Sequence, residues 1–167
     1  MIGPIMLKLE TVIDQTLGIR QMVVKLLKSI PQEMSEVTPP TWNNNAKWHA
    51  GHYLVVPRML TLGLLGEDLG VPAEYKTWFA KGTSPANMEG QEIPDYVDLV
   101  DEIMPSIGRL TDSLKPRMEE LFIEPYTTST GVVLHTPLEA LNFSLAHDGI
   151  HLGMLMALKR ALNVQHG

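Results

Sequence analysis

The sequence predicts an all-α protein, a four-helix bundle with a long crossover between its second and third helices. Three observations predict it. Four long stretches repeat apolar residues at threes and fours, and proline, glycine or capping residues stand where those repeats stop. The stretch GEDLGVPAEYKTWFAKGTSPANMEGQ then separates the middle two helices, and a plain bundle turn would be far shorter.

The first helix is expected from about Ile5 to Ile30, with Val12, Ile13, Leu17, Val24 and Leu27 in its stripe and Pro31 as its stop. The second runs from near Asn43 to about Leu65. Trp48, His52, Val55, Val56 and Met59 share one side, Gly66 fits the end, and Pro57 should kink it or open a second segment. Trp78 and Phe79 should pack the crossover onto the bundle. The third helix is expected from about Pro94 to Leu121, and its stripe from Tyr96 through Leu99, Ile103, Ile107, Leu110 and Leu114 is the cleanest in the chain. Residues Val132 to Leu134 suit a short strand. The fourth helix has the best start signal: Thr136 as N-cap, Pro137 at the first helical position, and Glu139 completing a capping box.

At 167 residues the chain is expected to form one domain, residues 1–167, with a core that needs no staples. It has no cysteine, so disulfides, thiolate metal sites and a cysteine nucleophile are excluded, and any metal must be held by nitrogen and oxygen. A net charge of −6 without a basic block argues against nucleic acid as the partner. No apolar stretch is long enough for a bilayer, and MIGPIMLKLE lacks the features of a secretory signal, so a cytoplasmic protein without membrane partners is expected. There is no Walker motif and no dinucleotide fingerprint.

Chemistry concentrates in LAHDGIHLGMLMALKRAL, residues 145–162. His147 and His151 fall on the same side of the fourth helix as Ala140, Phe143, Ser144, Ile150, Met154, Leu155 and Leu158. Residues four apart on a helix have Cβ atoms about 5–6 Å apart, close enough for two imidazoles to share an ion. A hydrogen-bonded pair of core histidines is the plainer alternative. The second helix adds NNNAKWHAGHYL, in which His52 points inward and His49 sits nearer the edge. Two histidines from one helix and one from another can build a three-nitrogen site, which leaves a position for water or substrate. His49 is expected to be a partly exposed helix residue, with an alternative-ligand or supporting role left open. His135 is expected in a loop, His166 in the tail and Asp148 at the surface. Tyr53 and Tyr126 are candidates to reach a pocket as hydrogen-bond donors.

The motifs N-x-x-W-x-x-G-H (Asn45, Trp48, Gly51, His52) and H-x-x-x-H-x-G (His147, His151, Gly153) resemble the DinB-like superfamily, whose relatives include bacillithiol transferases and mycothiol-dependent maleylpyruvate isomerases. WFAKGTSP and TPLEAL support the likeness, which covers nearly the whole chain. The resemblance implies a bundle in which His52, His147 and His151 bind a divalent metal (zinc, nickel or manganese), often as a homodimer. Relatives often carry Gln where Met154 stands, and an acidic residue where Pro57 and Arg58 stand. It also implies a small-molecule substrate and a low-molecular-weight thiol, with thiol S-transfer or thiol-assisted isomerisation as the reaction. Metal-assisted hydrolysis and a non-catalytic binding or stress-response module are the alternatives.

Leu138, Leu141, Leu145, Leu152 and Met156 form a second stripe on the last helix, to be covered either by the first helix or by a second subunit.

Overall fold

The structure, a computed structural model, describes residues 8–165. The expected start of the first helix and His166 lie outside the described residues. Four long helices carry the architecture: α1 (Leu9–Lys28), α2 (Ala46–Met59), α4 (Tyr96–Leu114) and α5 (Pro137–Gln165), with a short α3 (Tyr75–Phe79) in the crossover. A two-residue antiparallel pair, β1 (Tyr126–Thr127) and β2 (Val133–Leu134), precedes α5, with Tyr126 opposite Leu134. No helix among the described residues is long and apolar enough to cross a membrane.

The direction of each helix explains the long crossover. The Tyr96 hydroxyl at the start of α4 donates to the Leu27 carbonyl at the end of α1 (2.8 Å), while Ile107 to Met118 pack on Val12 and Ile13 near its start. These two helices are therefore antiparallel. Arg58, near the end of α2, reaches Ser106 in the second half of α4, so α2 and α4 run the same way. A chain leaving α2 must travel back along the bundle before α4 can begin, which a tight turn cannot do. Phe79 and Trp78 anchor that return path in the core.

Helix ends follow local chemistry. Asn45 caps α2 by accepting the Trp48 amide (2.9 Å), and its own amide donates to the Glu36 carbonyl (3.0 Å). The motif asparagine is therefore the cap of α2. At α5 the Glu139 amide donates to Thr136 Oγ1 (3.3 Å), the first half of the expected capping box, while the Glu139 carboxylate reaches one residue further back and accepts the His135 amide (2.6 Å). Helix α2 ends at Met59, earlier than Leu65, and turns follow to Gly66. Helix α4 gives way to a 3-10 turn at Lys115–Arg117 around Pro116, short of Leu121.

Pro57 does not open a new segment; it sits in the last turn of α2. Its missing N–H leaves the Tyr53 carbonyl, four residues earlier, without a helical donor. Arg20 of α1 fills the gap, with Nη1 donating to that carbonyl at 2.7 Å.

The second stripe of α5 is largely covered within the chain: Leu141 is buried with Val12 and Ile107, Leu138 packs beside them, and Leu152 packs on the other core cluster. Two residues expected on the buried side, Ile150 and Met154, are instead exposed. The open side of α5 carries Ala146, Gly149, Ile150, Gly153 and Ala157.

Candidate metal centre

Helices α2 and α5 are antiparallel neighbours, which sets His52 beside His147 and His49 beside His151. His52, His147 and His151 each offer a ring nitrogen, and the three nitrogens lie within 4.8 Å of one another. His52 is buried and the other two are partly open to a cavity of about 360 Å³, of the size that takes a small molecule.

Each motif residue has a structural task at His52. The Trp48 indole stacks on the imidazole, with centroids 4.4 Å apart and planes at 22°. Its Nε1 donates to Thr83 Oγ1 at 2.8 Å, so the GTSP part of the crossover holds the indole. At Gly51 a Cβ would collide with the Phe79 ring, so only glycine lets α3 come this close. That approach puts the Phe79 carbonyl 2.6 Å from His52 Nδ1. A carbonyl only accepts, so Nδ1 carries the proton and Nε2 presents its lone pair.

The same logic fixes His147. Its Nδ1 lies 3.3 Å from Asp148 Oδ1, a carboxylate held by Arg20 through Nε to Oδ2 (3.0 Å) and Nη2 to Oδ1 (3.2 Å). His147 Nε2 then faces His52 Nε2 at 3.2 Å. Two lone pairs pointed at each other at this distance need a proton or a cation between them. Two nitrogens around one tetrahedral zinc are about 3.3–3.4 Å apart, from Zn–N bonds of about 2.0–2.1 Å. The donor set therefore fits a divalent ion, and its outward nitrogens rest on the kind of acceptors that orient metal-bound imidazoles.

Burial keeps His52 and His151 neutral, the state a ligand needs. Burial, reinforced by His147, pushes His151 down to about 4 despite Asp148; burial with His151 and His147 pushes His49 down to about 3. His52 is lowered as well, chiefly by burial. An unfolded chain takes up protons at such groups below the ordinary value of 6.5, while the folded protein resists until about 4 at His151 and about 3 at His49. The unfolded state thus binds more protons in this window, and stability falls as pH falls. The expected loss for metal-free protein is on the order of 1.4 kcal/mol per pH unit for each such group below about pH 6.5. Urea unfolding at pH 7, 6 and 5 measures it, and a flat profile would contradict the buried neutral cluster.

Two surface assignments are corrected. His49, expected near a helix edge, is fully buried, and so is Asp148. Every residue of α2 from Ala46 to Val55 is buried, because α3, α4 and α5 all pack against this helix. It has no solvent side for His49 to face. Asp148 is inside because Arg20 of α1 meets it there. Arg20 itself went unremarked in the sequence, although it falls in register with Ile13 and Leu27 on the apolar stripe of α1, a signal that was available.

The other candidates sort clearly. Tyr53 is buried and donates its hydroxyl to the Asp148 carbonyl (3.1 Å); burial and Asp148 raise its pKa, so it is a fixed donor and not an acid. Tyr126 lines the cavity, as do Asn44 and Lys81, which the sequence did not suggest. His135 is exposed in its loop beside Glu139. Neither Met154 nor Arg58 borders the cavity; Arg58 donates to Ser106 and to the Leu69 carbonyl instead.

The family model of the DinB superfamily matches residues 15–155, a span that contains all three clustered histidines, the whole of α2 and α4, and most of α1 and α5. No curated protein matches the chain. With most of its length matched and its helices arranged around a three-histidine cluster, the chain belongs to the DinB superfamily.

Proposed function

We propose that this protein is a metal-dependent enzyme of thiol S-transfer or thiol-assisted isomerisation, with His52, His147 and His151 as the ligands. One observation carries the reading: three imidazoles converge at a cavity that a small molecule can enter. Three ligands leave at least one coordination position for an incoming group. A divalent ion held by neutral nitrogen keeps its full charge, which favours a bound thiol as thiolate at neutral pH.

The chain's own residues would do the rest. Phe79 and Asp148 hold two of the rings in the ligating tautomer. Val56, Met59, Leu60 and Phe143 give the cavity an apolar wall that keeps water from an electrophile. Tyr126, Asn44 and Lys81 stand on its border as hydrogen-bond donors, and Lys81 suits a carboxylate.

The test uses purified protein with zinc, nickel or manganese, a low-molecular-weight thiol and monochlorobimane. The expected result is saturable turnover that needs the metal and is lost in His147→Ala. Cleavage of a p-nitrophenyl ester without thiol would favour the hydrolytic reading. Metal binding with neither reaction would leave a binding module and overturn the enzyme. The homodimer implied by the family likeness would use the open, small-residue side of α5; light scattering that finds a monomer at micromolar concentration removes it.

A further inference from the structure

The three clustered imidazoles do not have equivalent supports. His52 Nδ1 rests on a carbonyl and His147 Nδ1 on a carboxylate, groups that can only accept a proton. His151 Nδ1 rests on another imidazole, His49 Nδ1, at 3.2 Å. One nitrogen of that pair must donate and the other accept. If His151 donates, its Nε2 keeps a lone pair for the cluster and His49 carries its proton on Nε2. If His49 donates, His151 carries its proton on Nε2 and cannot ligate.

The geometry points to His49 as a positioning residue that accepts the His151 Nδ1 proton and so holds His151 in the tautomer that can bind a cation. The inference rests on the metal-binding reading above. His49 is not itself in the ring of ligands: it lies behind His151, outside the group of nitrogens that converge. Its other nitrogen, Nε2, is buried with no hydrogen-bond partner, and the residue is 0% exposed. A side chain kept only to fill space would be better apolar, since an unpartnered buried polar atom opposes folding. The unpaired Nε2 is what remains when the ring's other nitrogen is committed to His151.

Leucine and asparagine separate the roles at this position. In His49→Leu the acceptor is gone and the orphan nitrogen with it. The expected result is zinc binding weaker by about 10- to 100-fold, the usual effect of losing such a support. The thermal midpoint of the metal-free protein should be unchanged or higher. In His49→Asn the amide oxygen can take the place of Nδ1 as a fixed acceptor. Zinc affinity should then recover to within about threefold of wild type, against the 10- to 100-fold loss in leucine, although the smaller side chain lowers the midpoint.

Affinity is read by competition with a chromophoric chelator. Leucine binding zinc as tightly as wild type, or both variants losing affinity in step with stability, would overturn the assignment. Long-range proton–nitrogen NMR on zinc-loaded wild type needs no variant: His151 Nδ1 should be protonated and His49 Nδ1 not, and the reverse refutes the proposal directly. Wild type that binds zinc no better than His52→Ala would instead remove the metal reading beneath it.

Discussion

Arg20→Met is expected to destabilise the metal-free protein by about 3–5 kcal/mol, the cost of removing one partner of a buried ion pair. Arg20 is 1% exposed and Asp148 0%, so neither charge has water to fall back on. The guanidinium makes two bonds to the carboxylate and a third to the Tyr53 carbonyl, and it lies 5.2 Å from the Tyr53 ring centroid. Methionine fills much of the space but supplies none of the donors. It leaves a bare carboxylate and the carbonyl that Pro57 had already deprived of its helical donor. Adding Asp148→Leu to Arg20→Met should recover a large part of the loss, because the uncompensated charge goes with it. Urea unfolding of the single and double variants is the measurement. A single-variant loss below about 1 kcal/mol, the range of an exposed pair, would contradict the account. Metal affinity should also fall in the double variant, because His147 then lacks the acceptor that holds its Nδ1 proton.

His147→Ala carries the largest expected effect on binding. Apparent zinc affinities of about 10 kcal/mol shared among three ligands make each worth about 3 kcal/mol, a factor of roughly 100–300 in the dissociation constant. The two remaining imidazoles also lose the geometry that leaves a single open position. Added zinc should raise the unfolding midpoint of wild type and barely move that of the variant, since only the native cluster binds the ion. The metal-free variant should fold, because His147 is partly exposed at the cavity and contributes little to the core. Equal shifts with zinc in both proteins would mean that His147 is not a ligand.

The bundle and the histidine cluster were legible because each depends on local spacing. Helical periodicity marks α4 with a stripe unbroken from Tyr96 to Leu114, and four-residue spacing puts His147 and His151 on one side of α5. The supports of the cluster were hidden because they depend on what packs where. A helical wheel assumes one buried side, yet α2 is enclosed on nearly all sides, so His49 is as buried as Trp48. Helix α5 has the opposite problem: apolar residues surround it, and Ile150 and Met154 fall on its open side although their chemistry suggests the core. Asp148 could be placed inside only by noticing that Arg20, on another helix, needed a partner there. The role of Pro57 depends in the same way on a carbonyl it frees and an arginine that arrives from α1.

The most direct test is the metal content of protein purified without chelators and without a nickel resin, then offered zinc and freed of excess. About one equivalent of tightly held ion per chain, lost in His147→Ala, is the expected result for a single three-nitrogen centre. Wild type that keeps only a trace, before and after zinc is offered, would contradict the claim that His52, His147 and His151 are gathered to hold an ion.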